Sequence, residues 1–185
     1  MAFSDAPFAL FISWTCYGNW LPGDERGFVS NLLLPGGGSL RKENVPGTPY
    51  REDDPLTKHQ ARVLMNQPPT RLSASQAISV ARSLVDAARK RSWRILRGAI
   101  MANHAHLVIT DCPDDGPGVR KVLKGTSQAD LWKAAGENKR WWTRGGSDHY
   151  LHAEEAILAA IRYTAEQEYK LAEIIDMEVV VPERR

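Results

Sequence analysis

Two apolar runs, residues 93–101 and 104–110, are separated only by Ala102-Asn103, and this pair limits the fold more than any other feature. Asn tolerates the backbone of a tight turn, so the pattern predicts a β-hairpin and hence an antiparallel sheet at mid-chain. The flanking segments are helical. SASQAISVARSLVDAARKRS opens on Ser73 as a cap and places Ala77, Ile78, Ala81, Leu84, Val85 and Ala88 at helical spacing. After the hairpin, Pro117 is placed to open a second helix, roughly residues 119–135. Residues 139–151 suggest a short strand or hairpin. A last helix is expected from Ala153 to about Asp176, with Ile157, Leu158, Ile161, Ala165, Leu171 and Ile174 on its apolar side. The tail MEVVVPERR offers an edge strand.

Before the first helix the pattern is different. Residues 7–16 (PFALFISWTC) read as a strand, and from Tyr17 to about Thr70 the chain is crowded with breakers such as WLPGD, LLLPGGGS and NVPGTP. A short helix near residues 58–66 is the one regular element expected there. Such a stretch is an insertion rather than core. The chain therefore reads as one domain, 1–185, with an irregular insertion at about 17–70. The order β, insert, α, β-β, α, β, α predicts an α+β sandwich of ferredoxin-like or RRM-like type, a mostly antiparallel sheet with helices on one face.

Whole-chain charge is nearly neutral, with 24 Lys and Arg against 22 Asp and Glu, yet residues 71–144 hold 14 basic and 6 acidic side chains. That excess is a footprint a polyanion could use, although a solvated helix face would look the same. No run reaches the length of a membrane span, and the apolar N-terminal stretch lacks a basic start, so a cytoplasmic protein without membrane contact is expected. Cys16 and Cys112 are too few for a disulfide framework.

Chemistry concentrates in two places. His104 and His106, two apart on a strand, project from one side and can converge on one ion. Tyr163 and Gln167, four apart on a helix, stack on one face. A Tyr hydroxyl has an ordinary pKa of about 10 and becomes a useful nucleophile beside a metal that polarises the group attacked. Either pair alone also fits a structural reading: half-exposed strand histidines, or an ordinary amphipathic Tyr with a solvent-facing Gln.

Together these motifs resemble the single-tyrosine HUH transposases of the smallest insertion sequences and their REP-associated relatives. The resemblance rests on N-H-x-H-L (Asn103 to Leu107), a W-[ST]-R-G segment (Trp142 to Gly145), R-Y-x-x-x-Q (Arg162 to Gln167) and the opening W-x-x-Y-G-x-W-L-P-G-D (Trp14 to Asp24). Relatives commonly carry Pro where this chain has Ala102 and a bulkier residue than Ala105. The resemblance implies cleavage and strand transfer of single-stranded DNA, with hairpin elements, through a 5′-phosphotyrosine on Tyr163. It implies Mg²⁺ or Mn²⁺ held by His104, His106 and Gln167; Glu166 and Glu168 flank Gln167 and offer substitute oxygen ligands. It also implies DNA contacts, for which Lys121, Lys124, Arg140 and Arg144 are the candidates, with Trp141 and Trp142 either stacking surfaces or core residues. The insert with Trp14, Trp20, Asp24 and Arg26 would help read a DNA hairpin, and WLPGD equally fits a tight turn stapled by aromatic packing. Relatives act as monomers or homodimers, and both fit this sequence. Tyr169 with Glu173 repeats the Tyr-plus-four spacing and is a rival register. Two other readings compete: a catalytically inactive, domesticated protein that binds structured nucleic acid, and a zinc site of His104, His106 and a cysteine. The second is poor because Cys16 and Cys112 fall in segments unrelated to the histidines.

Overall fold

The computed structural model describes residues 8–25, 32–33, 39–40, 52–112 and 115–183. β1 (Ala9–Thr15) alternates, sending Leu10, Ile12 and Trp14 into the main core and Phe11 and Ser13 to the other side. Within the insertion, β2 (Leu32–Leu33) pairs with β3 (Ser39–Leu40). The expected short helix is present as α1 (Pro55–Val63), capped by Asp54. Arg26 and much of the insertion lie outside the described residues.

α2 (Ala74–Arg89) begins at Ser73, which forms a reciprocal capping box with Gln76. Its stripe of Ala77, Val80, Ala81, Leu84, Val85 and Ala88 is buried. β4 (Arg94–Ile100) and β5 (His104–Thr110) form the predicted hairpin, closed by the Met101 amide donating to the His104 carbonyl at 2.9 Å. α3 (Gly116–Ala135) has Pro117 in its first turn and stops at Gly136, whose left-handed backbone (φ 65°) suits glycine. β6 (Ser147–Leu151), α4 (Glu154–Ala165), β7 (Ala172–Ile175) and β8 (Glu178–Val180) complete the chain.

The six long-range strands form one sheet in the order β6-β1-β5-β4-β7-β8, antiparallel at every pairing. Through β6, the path β-α-β-β-α-β with spatial order β6-β1-β5-β4 is the expected ferredoxin-like arrangement. α2 and α3 pack together over one face, where Leu10, Ile12, Ile95, Leu107, Ile109 and Ile174 are fully buried. α4 lies across the opposite face, against β4, β5 and β6, a layer the sequence pattern did not separate from the other two. No described helix is long and apolar enough to cross a membrane.

Two points differ from expectation. α4 covers the face opposite α2 and α3 instead of sharing theirs, because Phe11 and His106 offer it an aromatic surface there. The end of that helix is also placed differently. The last helix ends at Ala165 rather than near Asp176, and residues 172–175 form β7 on the edge of β4. Leu171 and Ile174 mimic helical spacing, but Tyr169 adopts φ 55° and breaks the helical path. Pairing with an open sheet edge outweighs local helix preference there. The tail forms the edge strand β8, as expected.

Candidate active site

His104 and His106 leave β5 on the face turned away from the main core, their ring centroids 4.9 Å apart and nearly perpendicular at 82°. The β1–β5 register sets Ser13 opposite His106 and Thr15 opposite His104. Ser13 Oγ is 2.7 Å from His106 Nδ1, and Asn103 Oδ1 is 2.7 Å from His104 Nδ1. Both rings are thus oriented through Nδ1, which makes Nε2 the nitrogen suited to a ligand. His106 is buried, and burial, with the charge of His104 adding to it, pushes its imidazole down to about 3. It is therefore neutral at physiological pH, the form that ligates.

Tyr163 reaches this pair from α4. Its ring centroid is 5.5 Å from that of His106 at 75° and 5.8 Å from that of Phe11 at 90°, and the residue is 52% exposed. Phe11 stacks on His106 at 5.5 Å and on His149 at 6.2 Å, joining the three groups into one aromatic patch. Within a single chain, a phenol from α4 thus lies against one of the two paired imidazoles, that of His106.

Gln167 is placed otherwise than a continuous helix would place it. It follows the end of α4, and its Nε2 donates back to the Tyr163 carbonyl at 3.1 Å, so the carboxamide oxygen is the atom it could offer a cation. The rival Tyr169 is 88% exposed in the next turn. Its partner Glu173 is buried in ion pairs with Arg97 and with Lys170 at 3.1 Å, a structural role. Among the described residues, no group of three or more His, Cys, Asp or Glu side chains could hold a metal. Cys16 proves close to the histidines in sequence register, its amide donating to the Asn103 carbonyl at 2.7 Å, which corrects its supposed remoteness. Its thiol belongs to the core on the other face, however, and burial pushes it up to about 12, so it stays protonated.

No family model and no curated protein matches the chain. Among solved structures, a REP-associated tyrosine transposase bound to a REP hairpin is similar at 10% identity, covering 89% of this chain and 68% of that one, with a TM-score of 0.44. A Deinococcus radiodurans protein assigned as a transposase is similar at 13% identity, covering 90% and 93%, with a TM-score of 0.42. Likeness at this level concerns the outline of the fold, and the functional reading rests on the side chains.

The candidate DNA contacts separate into distinct groups. Lys121 and Arg144 are exposed on a cleft of about 440 Å³ between α3 and residues 142–144, which Arg120 and Lys124 also line. Lys124 donates to the Thr143 carbonyl and, at 2.6 Å, to that of Gly145, so it holds the loop in place. Burial, then the nearby Arg120 charge, lowers its amine to about 7. Trp142 is 4% exposed, meets Trp14 edge-on and donates to Ser127 Oγ at 3.1 Å. It and Trp141 are core residues and not stacking surfaces, because their rings fill the space beneath α3. Arg140 lies apart from the cleft, over the Tyr17 ring at 5.3 Å.

Sequence reasoning passed over Ser13 and Phe11. The alternation of β1 could have marked both as facing away from the core, but the partner of each depends on strand register.

Proposed function

We propose that the protein cuts and rejoins single-stranded DNA, with Tyr163 as the nucleophile. The observation that carries this reading is the half-exposed Tyr163 ring against the buried, neutral His106, itself 4.9 Å from His104. Tyr163 keeps half its surface open beside the buried His106, and an imidazole pair oriented through Nδ1 suits a ligand at Nε2. His104 and His106, with the Gln167 carboxamide oxygen as third donor, would hold one Mg²⁺ or Mn²⁺. That ion would polarise a phosphate oxygen and align the attack. Mixed nitrogen and oxygen donors favour Mn²⁺ somewhat, since Mg²⁺ prefers oxygen.

In the step itself the Tyr163 oxygen forms a bond to phosphorus while the bond to the 3′-oxygen breaks. The phenol gives up a proton and the leaving 3′-oxygen gains one, leaving a 3′-hydroxyl and a 5′-phosphotyrosine. Attack by a different 3′-hydroxyl reverses the exchange and joins the strands. No nucleotide hydrolysis is required, because each phosphodiester broken is replaced by a phosphotyrosine ester. Lys121 and Arg144 would contribute phosphate contacts from the cleft beside α3, and a strand carrying hairpin elements is the substrate class.

The test is incubation with stem-loop single-stranded DNA and Mn²⁺, then peptide mapping of the attached nucleotide. Attachment at Tyr163, lost in Tyr163→Phe with binding retained, is the expected result. Attachment at Tyr169 would move the nucleophile. Binding without any adduct across varied hairpins would favour the inactive nucleic-acid-binding reading.

A further inference from the structure

The WLPGD turn has no task in the chemistry above, yet its first residue lies against His104. Trp20 adopts φ 51°, a left-handed conformation unusual for so bulky a side chain and concentrated at functional sites. The surroundings enforce it. Asn19 Nδ2 donates to the carbonyls of Cys16, Tyr17 and Thr70, and the Asp24 amide closes on the Leu21 carbonyl at 3.0 Å. Gly23 (φ 86°) runs so close to α1 that a Cβ there would stand 2.5 Å from the Asp54 carbonyl oxygen. Lys58 of α1 reaches Asp24 at 3.5 Å.

The outcome is an indole 5.2 Å from the His104 ring, centroid to centroid, tilted by 41° and only half-buried. Trp14 and Trp141, which do fill the core, are each 1% exposed. Three residues before Trp20, Tyr17 lies under the Arg140 guanidinium at 5.3 Å. Resting on the function proposed above, we infer that Trp20 is the stacking platform for the nucleobase adjoining the phosphate that Tyr163 attacks. The contact selects an unpaired base at that position, and because every base has a π-face it selects for unpairing more than for identity.

The experiment uses the full chain carrying Tyr163→Phe, so that binding is read without cleavage. The probe is a fluorescein-labelled strand, the tightest binder drawn from a random single-stranded pool, resynthesised with one abasic site walked along it. At one position the abasic site should weaken binding between about fivefold and a hundredfold. Trp20→Ala should weaken the intact strand by a similar factor, the two changes together should do no more than either alone, and Trp20→Phe should retain most of the affinity. Trp20→Leu, which keeps bulk without a π-face, should repeat the Ala result if Ala lowers the thermal midpoint. Effects of abasic site and Trp20→Ala that multiply would overturn the inference, since the indole would then act within the protein by holding His104. Failure of the function itself reads differently: no strand enriched from the pool overturns both readings, whereas coupling at one position without any adduct from the unsubstituted protein overturns the chemistry alone.

Discussion

On the face covered by α2 and α3, β1, β4 and β5 present Leu10, Ile12, Ile95, Leu107 and Ile109, all fully buried, while the face under α4 presents Phe11, Ser13, Arg97, His104 and His106. The same strands serve both, because alternation assigns successive residues to opposite sides. The helices differ accordingly. α2 buries a continuous apolar stripe, whereas in α4 Thr164 is the buried residue, with Leu158 51% and Tyr163 52% exposed. Polar ties hold the end of α4 instead: Lys170 donates to the Ala165 carbonyl at 2.5 Å and pairs with Glu173, which also pairs with Arg97. Stability is concentrated on one side of the sheet, and polar groups able to do chemistry remain on the other.

That division is testable, beginning with the largest effect. Tyr163→Phe should abolish covalent DNA adducts on gels while urea melts change by less than about 0.5 kcal/mol, as for an exposed substitution. A large loss of stability would break the contrast. Leu84→Ala, on the packed side, should cost about 2–5 kcal/mol in the same melts through the cavity it leaves. Ser13→Ala removes the Nδ1 partner of His106 and should weaken Mn²⁺ binding, read by calorimetry, by about 10- to 100-fold.

Acid should act through the site face. The His106 pKa is lowered on folding from an ordinary 6.5 to about 3, so the folded chain binds the proton less readily than the unfolded one. This contribution to stability is complete above about pH 6.5 and is lost progressively as pH falls toward 3. Thermal midpoints measured across that window should fall less in His106→Leu than in the unsubstituted protein. The smallest effect concerns the cleft: Lys121→Ala should weaken DNA binding evenly across sequences and reduce the salt slope by about one. A sequence-dependent loss would mean that Lys121 reads bases.

Much of the architecture was legible before the fold was known. The Ser73 cap, the α2 stripe, the hairpin at 102–103 and the tail strand all follow from local rules of capping, periodicity and turn chemistry, and all are present. The histidines could be placed on one face from spacing alone. Periodicity misled at the end of α4, where Leu171 and Ile174 keep a helical spacing that the edge of β4 recruits into β7. Composition left Trp142 undecided, since an aromatic residue beside arginines is equally suited to stacking and to a core, and only packing under α3 separates the two.

By itself, then, the chain determined which residues lie together on a helix stripe or strand face, because those patterns depend on neighbours within a few positions. Tertiary structure alone decided that Tyr163 meets His106, that Ser13 orients that ring and that Trp20 leans on His104. Those meetings join residues from β1, the insertion, β5 and α4, and strand register and layer packing are properties of the whole sheet that no local window encodes.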